Sequence, residues 1–183
     1  MIRRWELQNS QVDRDYKVFR VRIDHALSPR TGRTGEFHTI ECDNWVNVIP
    51  LTGDGRVVMI RQYRHGSREV SLEIPGGLVE EPDPKGAAVR ELMEETGYSG
   101  SEALLLGAVN PNPAVFNNLC YTYLVKDARK TGELCLDANE DIEVVLVPLT
   151  EIPALIAAGT INHALVLVAF HYLSLKDGVH SGP

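Results

Sequence analysis

The segment Arg90-Glu-Leu-Met-Glu-Glu-Thr-Gly97 constrains this chain more than any other stretch. Asp83 and Pro84 precede it, a side chain able to cap a helix and a proline suited to the first turn. Gly97 closes it, a residue suited to a left-handed stop. A helix over this stretch advances about 100° per residue, so Glu91, Glu94 and Glu95 fall within one arc of roughly 100°. Ala88, Val89, Leu92 and Met93 take the opposite arc, the expected core face. Carboxylates at i, i+3 and i+4 repel one another by about 0.2–0.5 kcal/mol per pair. These three also sit in the C-terminal half, where the helix dipole disfavours negative charge. Arg90 can relieve Glu94 at i+4. From the helix alone two readings stay open. One is a solvated acidic face. The other is a site for a hard divalent cation, Mg²⁺ or Mn²⁺, with a backbone carbonyl of the preceding turn as a further oxygen ligand.

Around this helix the chain alternates strand and turn chemistry. Phe19, Val21 and Ile23 alternate with Arg20, Arg22 and Asp24, a period of two. Residues 28–35 read as a turn and Glu36 to Glu41 as a return strand. Trp45–Ile49 and Val57–Tyr63 flank Thr52-Gly-Asp-Gly55, which predicts a β-hairpin. Val70–Ile74 reads as a short strand, and Pro75-Gly-Gly77 opens a loop that runs to Pro84. Further strands are expected at Ala103–Val109, Leu119–Val125 and Glu143–Pro148. The Asn110–Asn118 segment reads as a loop. Thr150 is expected to cap a short helix ending at Gly159, and Asn162 a last apolar helix to about Leu175. This order predicts a mixed α/β or α+β fold with helices on both faces of a sheet.

Charge and end signals narrow the function classes. The chain has 183 residues, with 25 Asp+Glu against 18 Lys+Arg, for a net charge of −7. Such a surface repels phosphate backbones and anionic headgroups, so neither nucleic acid nor a membrane is an expected partner. The N-terminus lacks the apolar core of a signal peptide. The apolar stretch His163–Leu175 is too short to span a bilayer. Cys42, Cys120 and Cys135 form no CxxC pair, so buried, reduced thiols and a cytoplasmic location are expected.

The residues Arg90 to Tyr98 resemble the second half of the Nudix box, Gly-x5-Glu-x7-Arg-Glu-(apolar)-x-Glu-Glu-x-Gly-(apolar). Seven specified positions in nine residues agree, and Glu73-Ile-Pro-Gly-Gly77 resembles the usual lead-in. This weight of match favours the metal site over the solvated face. The loop departs from the pattern. Counted from Gly77 the glutamate position holds Asp83, and counted back from Arg90 it holds Pro82, so the loop is one residue short. Loop solubility is the expected role of Glu80, Glu81 and Asp83.

The chain is similar over most of its length to the ADP-ribose pyrophosphatase and nucleoside diphosphate-sugar hydrolase branch. The N-terminal β region, the Arg61-Gln62-Tyr63-Arg64 strand end and Pro113, about sixteen residues beyond the box, carry that likeness. The resemblance implies an α/β/α sandwich with a mixed sheet over residues 44–183. It also implies a small antiparallel β extension, residues 1–43, that forms a homodimer. The implied reaction is Mg²⁺-dependent hydrolysis of the pyrophosphate in ADP-ribose or another nucleotide sugar, giving a nucleoside monophosphate and a sugar phosphate. Glu91, Glu95 and the Gly76 carbonyl are the implied metal ligands, with Glu94 ligating or supporting. Arg90 is implied to orient the glutamates, and Glu140 to act as general base, with Asp141 and Glu94 as rivals. Candidate substrate contacts are Arg64 for phosphate, Trp5 and Trp45 for the base, and Gly77, Leu78 and Asn112 nearby. Other Nudix substrates, a dinucleoside polyphosphate or an RNA 5′ end, and a non-catalytic nucleotide sensor are the alternatives.

Overall fold

The computed structural model describes residues 1–80 and 82–176. In chain order the elements are β1 (Glu6–Asp15), β2 (Arg20–Leu27), β3 (Thr34–Glu41), β4 (Trp45–Pro50), β5 (Arg56–Arg64) and β6 (Glu69–Glu73). Then come α1 (Pro84–Thr96), β7 (Tyr98–Ser99), β8 (Leu104–Val109), β9 (Cys120–Val125), β10 (Arg129–Lys130) and β11 (Ile142–Pro148). A 3-10 turn at Leu149–Glu151 leads into α2 (Ile152–Ala157), and α3 (Ala164–Lys176) follows. Two compact units result: Met1–Asp43 with Asn110–Leu119, and Asn44–Val109 with the chain from Cys120 onward.

In the first unit β1, β2 and β3 form an antiparallel meander. Arg22 ties it together, donating to Asp24 at 2.9 and 2.8 Å on its own strand and pairing with Glu41 on β3. The 110–119 segment lies along β3: the Ile40 N–H donates to the Val115 carbonyl at 2.7 Å and Asn118 Nδ2 to the Asp43 carbonyl at 3.0 Å. All ten residues of β1 are exposed.

The second unit holds two three-stranded sheets, β11-β5-β6 and β4-β9-β8, the latter with β4 and β9 parallel. The sandwich follows from the period-two rule applied to strands covered on both sides. Val46 and Val48 of β4, with Tyr123 and Val125 of β9, pack on Ala88 and Leu92 of α1. Ile49 and Leu124 point the other way, into a core with Val57, Met59 and Leu72 and with Val166, Ala169 and Phe170 of α3. Each such buried aliphatic side chain contributes about 1.5–3 kcal/mol, so these two cores set the frame.

Three local expectations are corrected. The predicted hairpin does not form. Thr52-Gly-Asp-Gly55 does make a tight turn, with the Thr52 N–H donating to the Arg56 carbonyl at 2.8 Å. But β4 pairs with β9 and β5 with β11 and β6, so the strands part after one bridge, Leu51 with Val57. Burial of both faces of β4 outweighs the turn signal. Asn162 does not cap α3; His163 does, its Nδ1 accepting from the Leu165 N–H at 3.2 Å. Thr150 lies inside the 3-10 turn, and Pro153 in the first turn of α2 starts that helix without a side-chain cap.

Of the three thiols, all free, Cys120 alone is buried, and burial pushes it up to about 12. Cys42 is half-buried and Cys135 exposed. No helix among the described residues is long and apolar enough to cross a membrane.

Candidate active site

Two glycines bring backbone against two glutamates. The Pro75–Val79 stretch runs beside β4: Val46 and Gly77 exchange hydrogen bonds at 2.9 and 3.1 Å, and the Val48 N–H donates to the Pro75 carbonyl at 2.9 Å. The Gly76 N–H therefore points away from β4, and it donates to Glu95 Oε2 at 2.9 Å. A Cβ at Gly76 would strike the Val46 carbonyl, and one at Gly77 would land on the Glu91 carboxylate. At Gly76 the obstacle is backbone, so only glycine lets the turn lie so close to β4 there.

Helix α1 supplies the acids. Asp83 accepts from the Gly86 N–H at 3.0 Å, Pro84 opens the first turn, and Gly97 ends the helix at φ 71°. The buried stripe is Ala88, Glu91, Leu92, Glu95 and Thr96. Ala88 and Leu92 of the expected core face are buried, but Val89 is 46 % exposed and Met93 half-buried, while Glu91 and Glu95 lie inward. The solvated-face reading thus fails for those two, and Glu94 is half-buried. Arg90 binds the row together, donating to Glu91 Oε1 at 2.8 Å, to Glu94 Oε2 at 2.6 Å and to the Leu78 carbonyl at 3.4 Å.

Burial governs the charges. It pushes the Glu95 carboxyl up to about 8; the Gly76 N–H opposes this, the charges of Glu91 and Glu140 add to it, and Arg64 opposes it. Glu91 is raised too, by burial, against the pull of Arg90 and with the push of Glu94 and Glu140. Across the sheet Arg64 grips Glu73 at 2.8 and 2.7 Å. Burial works to raise Glu73, but Arg64 and then His163 more than offset it and hold the carboxyl below its usual range.

The remaining candidates lie on other elements, Glu140 among them close enough for its charge to act on Glu91 and Glu95. Glu140 is exposed just before β11, with Oε2 accepting from the Asp137 N–H at 2.9 Å. Trp45 starts β4 opposite Leu78. Trp5 and Asn112 belong to the first unit. Trp5 is 45 % exposed and packs edge-on against Phe37. Asn112 makes its own turn, accepting from the Ala114 N–H at 3.3 Å. Asp83 is the helix cap, Glu80 is exposed, and Glu81 lies outside the described residues. Sequence reasoning missed a role for Glu73. The available signal was an acid inside the otherwise strand-like run Val70–Ile74.

A model of the NUDIX domain matches residues 43–169, well over half of the chain. The chain belongs to the Nudix family. Its relatives include an ADP-ribose pyrophosphatase of Bacillus subtilis (strain 168), 27 % identical over 167 residues that cover 90 % of each chain. A methanol dehydrogenase activator of Bacillus methanolicus is 28 % identical over 165 residues, 89 % of each chain. An ADP-sugar pyrophosphatase of Mus musculus is 40 % identical over 107 residues, 52 % of this chain and 48 % of that one. The solved structure of an ADP compounds hydrolase superposes with a TM-score of 0.84 over 98 % of both chains at 20 % identity, which shows the Nudix fold.

The Nudix site fits a divalent cation by its donors. Two carboxylates, Glu91 and Glu95, are buried on one face of α1 at an energetic cost that a bound cation would offset. The set is all oxygen, as a hard cation prefers. Among the described residues no three His, Cys, Asp or Glu side chains are gathered closely enough to hold an ion alone. Backbone carbonyl, water or substrate oxygens would complete the sphere, as is usual for Mg²⁺.

Proposed function

We propose that this Nudix protein is a Mg²⁺-dependent pyrophosphohydrolase of nucleoside diphosphate sugars, with ADP-ribose the leading substrate. The burial of Glu91 and Glu95 beside the Gly76-Gly77 backbone carries the reading. Neither acid contributes to stability there as an apolar residue would. Relatives named for ADP-ribose and ADP-sugar pyrophosphatase activity support the substrate class.

In this reading Glu91, Glu95 and the Gly76 carbonyl hold the cation, with Glu94 in support. When bound, it polarises phosphoryl oxygens and screens the charge that a −7 chain would otherwise repel. Arg90 keeps the carboxylates aligned, and Arg64 presents N–H donors to a phosphate. Glu140 accepts the proton of the attacking water. The new P–O bond forms as the P–O–P bridge breaks, leaving a nucleoside monophosphate and a sugar phosphate. With Mg²⁺ or Mn²⁺, a panel of ADP-ribose, GDP-mannose and dinucleoside polyphosphates should show turnover highest on the nucleotide sugars. Dominant turnover of a dinucleoside polyphosphate would overturn the substrate class; tight binding with no hydrolysis would favour a sensor.

The N-terminal sheet is read as the homodimer surface, since Leu7, Val12, Tyr16, Val18 and Phe37 are exposed apolar residues of one small unit. Sedimentation should give twice the mass of one chain, and a monomer at micromolar concentration would overturn this. The free thiols suit a cytoplasmic setting.

A further inference from the structure

Glu73 is a charged side chain 3 % exposed to solvent at the end of β6. A buried carboxylate is costly unless paired, and an apolar pair of similar volume would stabilise the sheet as well or better. Stability alone therefore does not call for an acid here.

Its partner is reached in an unusual way. The β5–β6 register sets Glu69 directly across from Arg64, and Ile60 across from Glu73. Residues 60, 62 and 64 share a face with 69, 71 and 73. Arg64 thus has a carboxylate as its nearest cross-strand neighbour, on an exposed part of the sheet. It passes that residue by. The guanidinium runs back along the strand and closes a two-point fork on Glu73, Nε to Oε1 at 2.8 Å and Nη2 to Oε2 at 2.7 Å.

The fork fixes the plane of the guanidinium and leaves one edge free. Among the described residues two of its five N–H donors are committed, so both on Nη1 and one on Nη2 remain. The Arg64 side chain as a whole is 43 % exposed, and the charges of Glu95 and Glu140 act on its guanidinium. The free edge is therefore a ready donor set on a side chain within electrostatic reach of Glu95. An arginine held this way need not be ordered when a ligand arrives, which lowers the entropic cost of binding.

We propose that Glu73 is a positioning residue, clamping Arg64 so that its free edge meets a phosphate oxygen of the bound nucleotide. This rests on the pyrophosphohydrolase reading. Glu73 does not touch the nucleotide and acts only through Arg64.

A double-mutant cycle tests it, with Glu73→Gln and Arg64→Gln made singly and together. Two quantities are read: kcat and KM for ADP-ribose with Mg²⁺, and Kd for ADP in EDTA. Glu73→Gln should raise KM and Kd about tenfold, the worth of one charge-assisted contact, with kcat within about threefold. In the Arg64→Gln background the same change should shift neither constant. Glu73→Asp keeps the charge and shortens the clamp, so it serves if the glutamine variant does not fold, and should raise both constants about threefold. Equal shifts in both backgrounds, or unchanged constants in Glu73→Gln and Glu73→Asp, would overturn the proposal. Wild-type protein inactive on every nucleotide would overturn the hydrolase reading, while the ADP arm still decides the role of Glu73. Wild-type protein that binds no ADP would overturn both.

Discussion

Glu95→Gln should remove turnover and, in the metal-free chain, raise stability at alkaline pH. The two effects have one cause. Glu95 is 3 % exposed, and burial lifts its carboxyl to about 8. The folded chain therefore holds a proton that the unfolded chain releases near pH 4.5. Between those values the folded state binds more protons, so stability falls as pH rises. The contribution is fully present below about pH 4.5 and is lost as pH passes about 8. Its slope is about 1.4 kcal/mol per pH unit at most, a few kcal/mol across the window. Glutamine keeps the shape and cannot ionise, so that slope disappears. Urea unfolding in EDTA from pH 5 to 9 should show wild type losing ground steadily against Glu95→Gln. A pH-independent difference between them would contradict the burial argument. With Mg²⁺ present, kcat/KM for the nucleotide sugar should drop about a thousandfold or more in the variant, since several kcal/mol of charge stabilisation depends on the ionised ligand.

The helix at the centre of this argument was legible because every local rule agreed. Asp83 caps, Pro84 starts and Gly97 stops, and each does so in the structure. The strands of the second unit were legible where apolar runs were long. Their pairing was not. Thr52-Gly-Asp-Gly55 is a sound turn, yet β4 is buried on both faces and takes β9 as its parallel neighbour. Partner choice in a sheet is a long-range matter, and a turn motif reports only four residues. The same holds for His163 as the α3 cap, where a ring nitrogen takes the place expected of Asn162.

At the site, residue type outran geometry. The acids on one arc of α1 were visible, but periodicity assigned the core to Val89 and Met93 along with Ala88 and Leu92, of which the last two are buried, and left the carboxylates outside. The structure rotates that stripe so that Glu91 and Glu95 lie inward, where an amphipathic pattern would place leucine. A helix read by hydrophobicity alone misplaces its buried face where charged residues have been put inside for chemistry. Glu73 stayed unread for the same reason: its meaning depends on Arg64, nine residues earlier and four positions out of register.

Glu140→Gln should lower kcat about 10²- to 10⁴-fold with KM little changed, the usual weight of a general base. Glu140 is exposed, held at the start of β11 by Asp137, and close enough for its charge to raise both Glu91 and Glu95. Its rivals are placed differently. Glu94 is committed to Arg90 at 2.6 Å, so Glu94→Gln should disturb the alignment of the row and cost less than the loss of a base. A second readout is independent of turnover. Removing the Glu140 charge takes away part of what lifts Glu95, so the loss of stability in EDTA should centre below the wild-type value of about 8. A shifted midpoint with normal kcat would keep Glu140 beside the acidic cluster and overturn its role as base, passing that role to Asp141 or Glu94. An unmoved midpoint with normal kcat would remove Glu140 from the site.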